Sequence, residues 1–184
     1  MSRFALMLLT ALLFGQAPIA AQPAPNQQAP NQSQQPRAAF EISGWRYRAL
    51  ANDIHSYNCE AQCNPSSRIS YRLYGNDLNM TLEQFRAQQN SAVRMLQERL
   101  PQGATMEIIA INEERTGDGR ILKSQRLTTL ANGRKEHIIS SFVFGGARPF
   151  SLISSADDEA AAKANFTQFL APIMLVVNLG APRR

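Results

Sequence analysis

The chain is poor in the residues on which most site chemistry depends. Its 184 residues include two Cys, two His, one Trp and three Lys. Two Cys exclude a disulfide-dense miniprotein, which needs several bridges to replace a small core. No GxSxG, GxGxxG or GxxxxGK occurs, so the local signatures of α/β-hydrolases, dinucleotide sites and phosphate loops are missing. Charged residues make up 18%, below the roughly 25% of average soluble domains. Hydrophobic residues at 44% nevertheless exclude a wholly disordered chain, and the length suits one folded domain. The formal charge of +5 is too mild to indicate a nucleic-acid partner.

What is present starts with an export pattern. Arg3 precedes the apolar stretch Phe4–Phe14, which Gly15 and Pro18 end. A membrane span needs about 20 apolar residues, so this shorter run reads as a cleaved signal peptide over residues 1–21, with cleavage near Ala21. The mature protein is then expected in the periplasm or outside the cell, with no transmembrane anchor. Residues 22–36 (QPAPNQQAPNQSQQP) carry no charge, aromatic or large aliphatic side chain. Such a segment cannot bury enough apolar surface to offset its chain entropy, and it reads as a disordered Pro/Gln-rich linker.

A single α+β domain is expected over 37–184. Trp45–Ala49 and Arg68–Tyr74 alternate in the two-residue period of half-buried strands, with the segment from His55 to Ser67 between them. Thr81 and Gln84 form a capping-box pattern at the head of a helix that carries Leu82, Phe85, Val93 and Leu96 on one face. Met106–Ile111 reads as a strand. A turn at 116–119 follows it, then two long strands joined at Asn132-Gly133, the strongest short hairpin signal, and a further strand at Phe150–Ile153. Asp157, Asp158 and Glu159 place negative charge where the N-terminus of a second helix favours it. Pro172 kinks or ends that helix, and Ile173–Leu179 is buried as helix or strand. These elements make an antiparallel sheet of about six strands packed with two main helices.

The order of elements from Thr81 to Val177 resembles the PsbP-like fold. The resemblance rests on the TLEQFRAQQ helix, the meander through LANGRKEH to ISSFVFGG, the RPFSLISSA strand and the closing NFTQFLAPI helix. It implies a non-enzymatic binding module; separately, the missing motifs lead to the expectation of no cofactor and no catalytic residues.

Four groups of residues are candidates for chemistry. Cys59 and Cys63 are expected to form a disulfide in an oxidising compartment, pinning the loop between the first two strands. The alternative places His55, Cys59 and Cys63 on one helical face as ligands of zinc or copper, which would make the protein a small metal handler. His137 lies near Ser140 and Ser141, but no local triad is evident, and an envelope hydrolase is the weakest reading. Arg46 and Arg48 share a strand face, as do Arg68 and Arg72. If those strands pair, the four form a basic docking patch for another envelope protein or an anionic envelope component.

Overall fold

A computed structural model describes residues 38–116 and 119–179. The stretches expected to be signal peptide (1–21) and linker (22–36), with residue 37, residues 117–118 of the expected turn and residues 180–184, lie outside the described residues. In chain order the elements are β1 Trp45–Leu50, β2 Ile54–Cys59, β3 Arg68–Leu73, α1 Leu82–Gln97, β4 Thr105–Thr116, β5 Gly119–Thr129, β6 Lys135–Phe144, β7 Phe150–Ala156 and α2 Glu159–Leu179. The strands form one seven-stranded sheet ordered β1-β2-β3-β7-β6-β5-β4, antiparallel at every step.

The α+β class stands, with one strand more than the sequence pattern counted. The added strand is β2, in the segment expected to be a loop. Consecutive positive φ at Asn52 (60°) and Asp53 (55°) reverse the chain tightly between Leu50 and Ile54. Asn and Asp tolerate that left-handed backbone better than most residues. The segment then alternates His55, Tyr57 and Cys59 with Ser56 and Asn58, as a strand requires. β4 also runs longer than Met106–Ile111, with a bulge between Ile108 and Ala110.

The two helices lie on opposite faces of the sheet. Ile121 joins the core under α2 while its neighbour Leu122 joins the cluster of Phe85 and Phe142 under α1. Adjacent strand residues point to opposite faces, so the two clusters are separated by the sheet itself. α2 presents Ala162, Phe166, Phe169, Ile173 and Val177 at helical spacing to Tyr57, Ile69, Tyr71, Phe150 and Leu152. Phe169 is the hub of this core: its ring meets Trp45 at 4.8 Å, Tyr57 at 5.0 Å and Phe40 at 6.1 Å. α2 passes by length and composition as a possible membrane crossing, yet this face belongs to the core.

Both helix starts follow the sequence signals. Thr81 Oγ1 accepts the Gln84 N–H and Gln84 Oε1 accepts the Thr81 N–H, completing the capping box. Asp158 accepts the Ala161 N–H through its carboxylate at 2.7 Å. Pro172 does not end α2, which continues as helix to Leu179. The burial of Phe169, Ile173 and Val177 on one face outweighs the single hydrogen bond that proline removes.

α1 packs over β4 and β5, whereas α2 packs over β3, β7 and β6. Each helix therefore covers a different part of the sheet on its own side. Two stretches of sheet are left with no described element across them. One is β1-β2-β3-β7 on the α1 side, and the other is β4 with the Leu127 end of β5 on the α2 side.

Candidate functional site

The open stretch on the α1 side collects the four arginines. Arg46 stands opposite Asn58, Asn58 opposite Arg68, and Arg68 opposite Ser155. In the next row Arg48 faces Ser56, which faces Ser70, which faces Ile153. The third row runs Leu50, Ile54, Arg72 and Ser151. Tyr57, Ile69 and Tyr71 alternate with these residues and point into the core under α2. Arg46, Arg48, Arg68 and Arg72 therefore share one face, with β2 between the two pairs. Strand geometry puts Arg46 and Arg48 about 7 Å apart along β1, and Arg46 and Arg68 about 10 Å apart across two strands.

The chemistry of this face is one-sided. β1, β2, β3 and β7 contain no acidic residue at all. The face offers four guanidinium groups, Arg72 half-buried, with the hydroxyls of Ser56 and Ser70 and the Asn58 amide; the Ser151 hydroxyl is bonded to that of Tyr74 and Ser155 is buried. Leu50 and Ile153 add exposed apolar surface between them. Carboxylates stand only at the ends. Arg46 pairs with Glu60 just past β2. Asp157, just past β7, accepts from the Asn64 amide and the Ser66 hydroxyl, each at 2.7 Å. Those two bonds, Ser66 first, hold its carboxyl below the usual range. Arg72 lies over the Tyr74 ring at 5.3 Å, and its buried Nε has no partner among the described residues. Guanidinium forks among hydroxyl donors suit carboxylate, phosphate or sulfate groups.

The same face continues under α1 as a polar patch that the sequence pattern did not reveal. Ser155 leads across Ile138 to Arg126 on β5. Arg126 is 9% exposed and donates from Nη2 to Ser140 Oγ at 2.9 Å, while its Nε finds no partner. Loss of hydration lowers its pKa, and the Glu136 charge works in the opposite direction. Ser124 and Thr128 flank it on the same side of β5 and are buried, as is Gln89 of α1, and each has an unpartnered polar atom among the described residues.

Cys59 and Cys63 are bonded to each other, with Cα atoms 5.9 Å apart. The helical face on which His55, Cys59 and Cys63 would align is not formed. His55 and Cys59 both lie in β2, where four residues span about 13 Å, and the two sulfurs are taken by their own bond. The disulfide closes a loop over Gly44, whose carbonyl accepts the N–H groups of Glu60 (2.8 Å) and Ala61 (3.1 Å). His55 instead belongs to an aromatic row. Tyr47 Oη lies 2.9 Å from its Nδ1, and its ring stacks on Tyr71 at 4.5 Å. No group of three or more metal-ligating side chains occurs among the described residues.

His137 lies on the α2 side of β6, opposite Leu127 and Ala156. Ser141 shares that side, but its hydroxyl is buried and donates to the Leu152 carbonyl. Ser140 points to the other side and accepts from Arg126. The register therefore does not join the three into a nucleophile and its base.

No protein-family model matches the chain, and no curated protein does. Solved structures do. Cyanobacterial PsbP (CyanoP) from Synechocystis sp. PCC 6803 aligns with a TM-score of 0.53 at 10% identity, covering 72% of this chain and 82% of that one. The Saccharomyces cerevisiae Ran-binding protein Mog1p aligns with a TM-score of 0.41 at 10% identity, covering 74% of this chain and 84% of that one. The fold is PsbP-like.

Proposed function

We propose that the chain is an exported envelope protein that acts as a non-enzymatic accessory module, docking an acidic protein partner on the open β1-β2-β3-β7 face. One observation carries this reading: four arginines share a face built from strands with no acidic residue. An ordinary solvated sheet face mixes both signs, which limits self-association and unwanted binding. Exposed Leu50 and Ile153 supply the apolar contact that a charged surface alone lacks. The export pattern at residues 1–21 and the Cys59–Cys63 bridge suit a periplasmic or secreted setting.

The test is capture from envelope extract by the mature protein and by the Arg46→Ala/Arg48→Ala/Arg68→Ala/Arg72→Ala variant. An acidic protein retained by the first, lost by the second and released by salt supports the reading. Equal recovery by both forms removes the face from consideration, and retention of polysaccharide or lipid alone reassigns the partner.

A further inference from the structure

On the opposite side of the sheet, the core under α2 takes in Ile121 of β5 but leaves the part of β5 around Leu127 half-buried. The first turns of α2, with the exposed sides of β5 and β6, enclose a cleft of about 270 Å³. Leu127 and Ile139 form its floor and Ala162 its wall. The bulge in β4 sets Ile109 at the lip, 56% exposed. Its polar lining comes from Gln125, Arg126, Lys135, His137, Glu159 and Lys163. Glu159 is committed to Lys163 at 2.6 Å. Lys135 forms no ion pair among the described residues and stands at the mouth. It also lines the adjoining depression with Arg68 and Arg134, whose acidic residues are Glu136 and Asp157, the latter held by Asn64 and Ser66.

We propose that this cleft binds a small amphipathic anion, an alkyl carboxylate, with its chain on Leu127 and Ile109 and its carboxylate toward Lys135. Apolar floors with a few convergent polar groups are the general design of small-molecule sites. At roughly 30 Å³ for each small group in a liquid, the cleft holds about nine heavy atoms, one fewer than the ten of octanoate, whose carboxylate lies at the mouth. A folded protein partner does not fit such a space. This site lies across the sheet from the docking face and does not rest on that reading.

The experiment is titration of the mature protein with octanoate, butyrate and octylamine, followed by calorimetry and amide chemical shifts. Octanoate is expected to saturate with shifts centred on Leu127, His137 and Ala162. Butyrate, four methylenes shorter, binds at least tenfold more weakly, and octylamine does not saturate. Lys135→Glu, at an exposed position, lowers octanoate affinity at least fivefold, and Leu127→Trp abolishes binding by filling the floor. If Leu127→Trp does not fold, Ile109→Glu at the exposed lip reads the same contact and weakens binding. Absence of saturable octanoate binding overturns the proposal. So does equal binding of octylamine, or an affinity that Lys135→Glu leaves unchanged.

Discussion

The Tyr47 hydroxyl lies 2.9 Å from Nδ1 of His55, and the imidazole is stacked at 4.5 Å on Tyr71. Burial lowers the His55 pKa below 6.5, against a smaller upward pull from Asp53. The unfolded chain therefore takes up this proton at a higher pH than the folded one, and stability rises with pH between the two values. The contribution is complete above about pH 6.5 and is lost as pH falls through the folded pKa. His55→Phe keeps the stacking and removes the proton. Urea midpoints at pH 7.5 and 5.0 should differ less in this variant than in the parent protein.

Gly44 sits at a φ of 81°, and a Cβ there would come within 2.0 Å of the Ala61 carbonyl oxygen. Left-handed strain and a clash with backbone act together, so Gly44→Ala should cost about 3 kcal/mol or more. Replacing both Cys59 and Cys63 with Ala opens only a five-residue loop, worth about 2 kcal/mol by the chain-entropy estimate. The glycine variant should therefore melt below the double-cysteine variant. The reverse order would show that the bridge does more than close its own loop.

Phe169→Ala empties a fully buried site that contacts Trp45, Tyr57 and Phe40. A loss of about 3–5 kcal/mol is expected, a large share of a domain's stability. Because Trp45 is the only tryptophan, its fluorescence reports the change directly.

Asp157 ties the β2–β3 loop to the turn before α2 through Asn64 and Ser66. Its carboxyl is held below the ordinary aspartate value, so the contribution of this tie is complete above about pH 3.8 and is lost as pH falls through the lower folded value. In Asp157→Ala at neutral pH, the Ser66 and Ser67 amides should exchange about tenfold faster, while the β5–β6 ladder keeps its protection. Unchanged exchange in the loop would show that the Asn64 turn holds itself.

The alternation of Arg46 with Tyr47 and of Arg68 with Ile69 was legible from residue order, since it needs only the two-residue period. Whether the two pairs meet on one face depends on register, which residue order does not give. Here the intervening β2 preserves the parity, because Arg46 faces Asn58 and Asn58 faces Arg68. β2 itself escaped notice because Ser, Asn and His are weak strand formers. The Asn52-Asp53 turn was the signal that would have found it. Helix α1 was legible from its cap and its apolar spacing, except that Gln89 is buried and Leu96 is 40% exposed. The cleft beside α2 has no signature in one dimension, because it arises from where that helix comes to rest across the strands.

The diagonal placement of the two helices has a geometric consequence. The arginines and the Leu127 floor lie on opposite sides of the sheet and are also offset along it: three strand spacings, about 14 Å, separate Arg68 on β3 from Leu127 on β5. Bodies resting on the two shelves are kept apart by the sheet except around its end, where Arg68 and Lys135 line one depression.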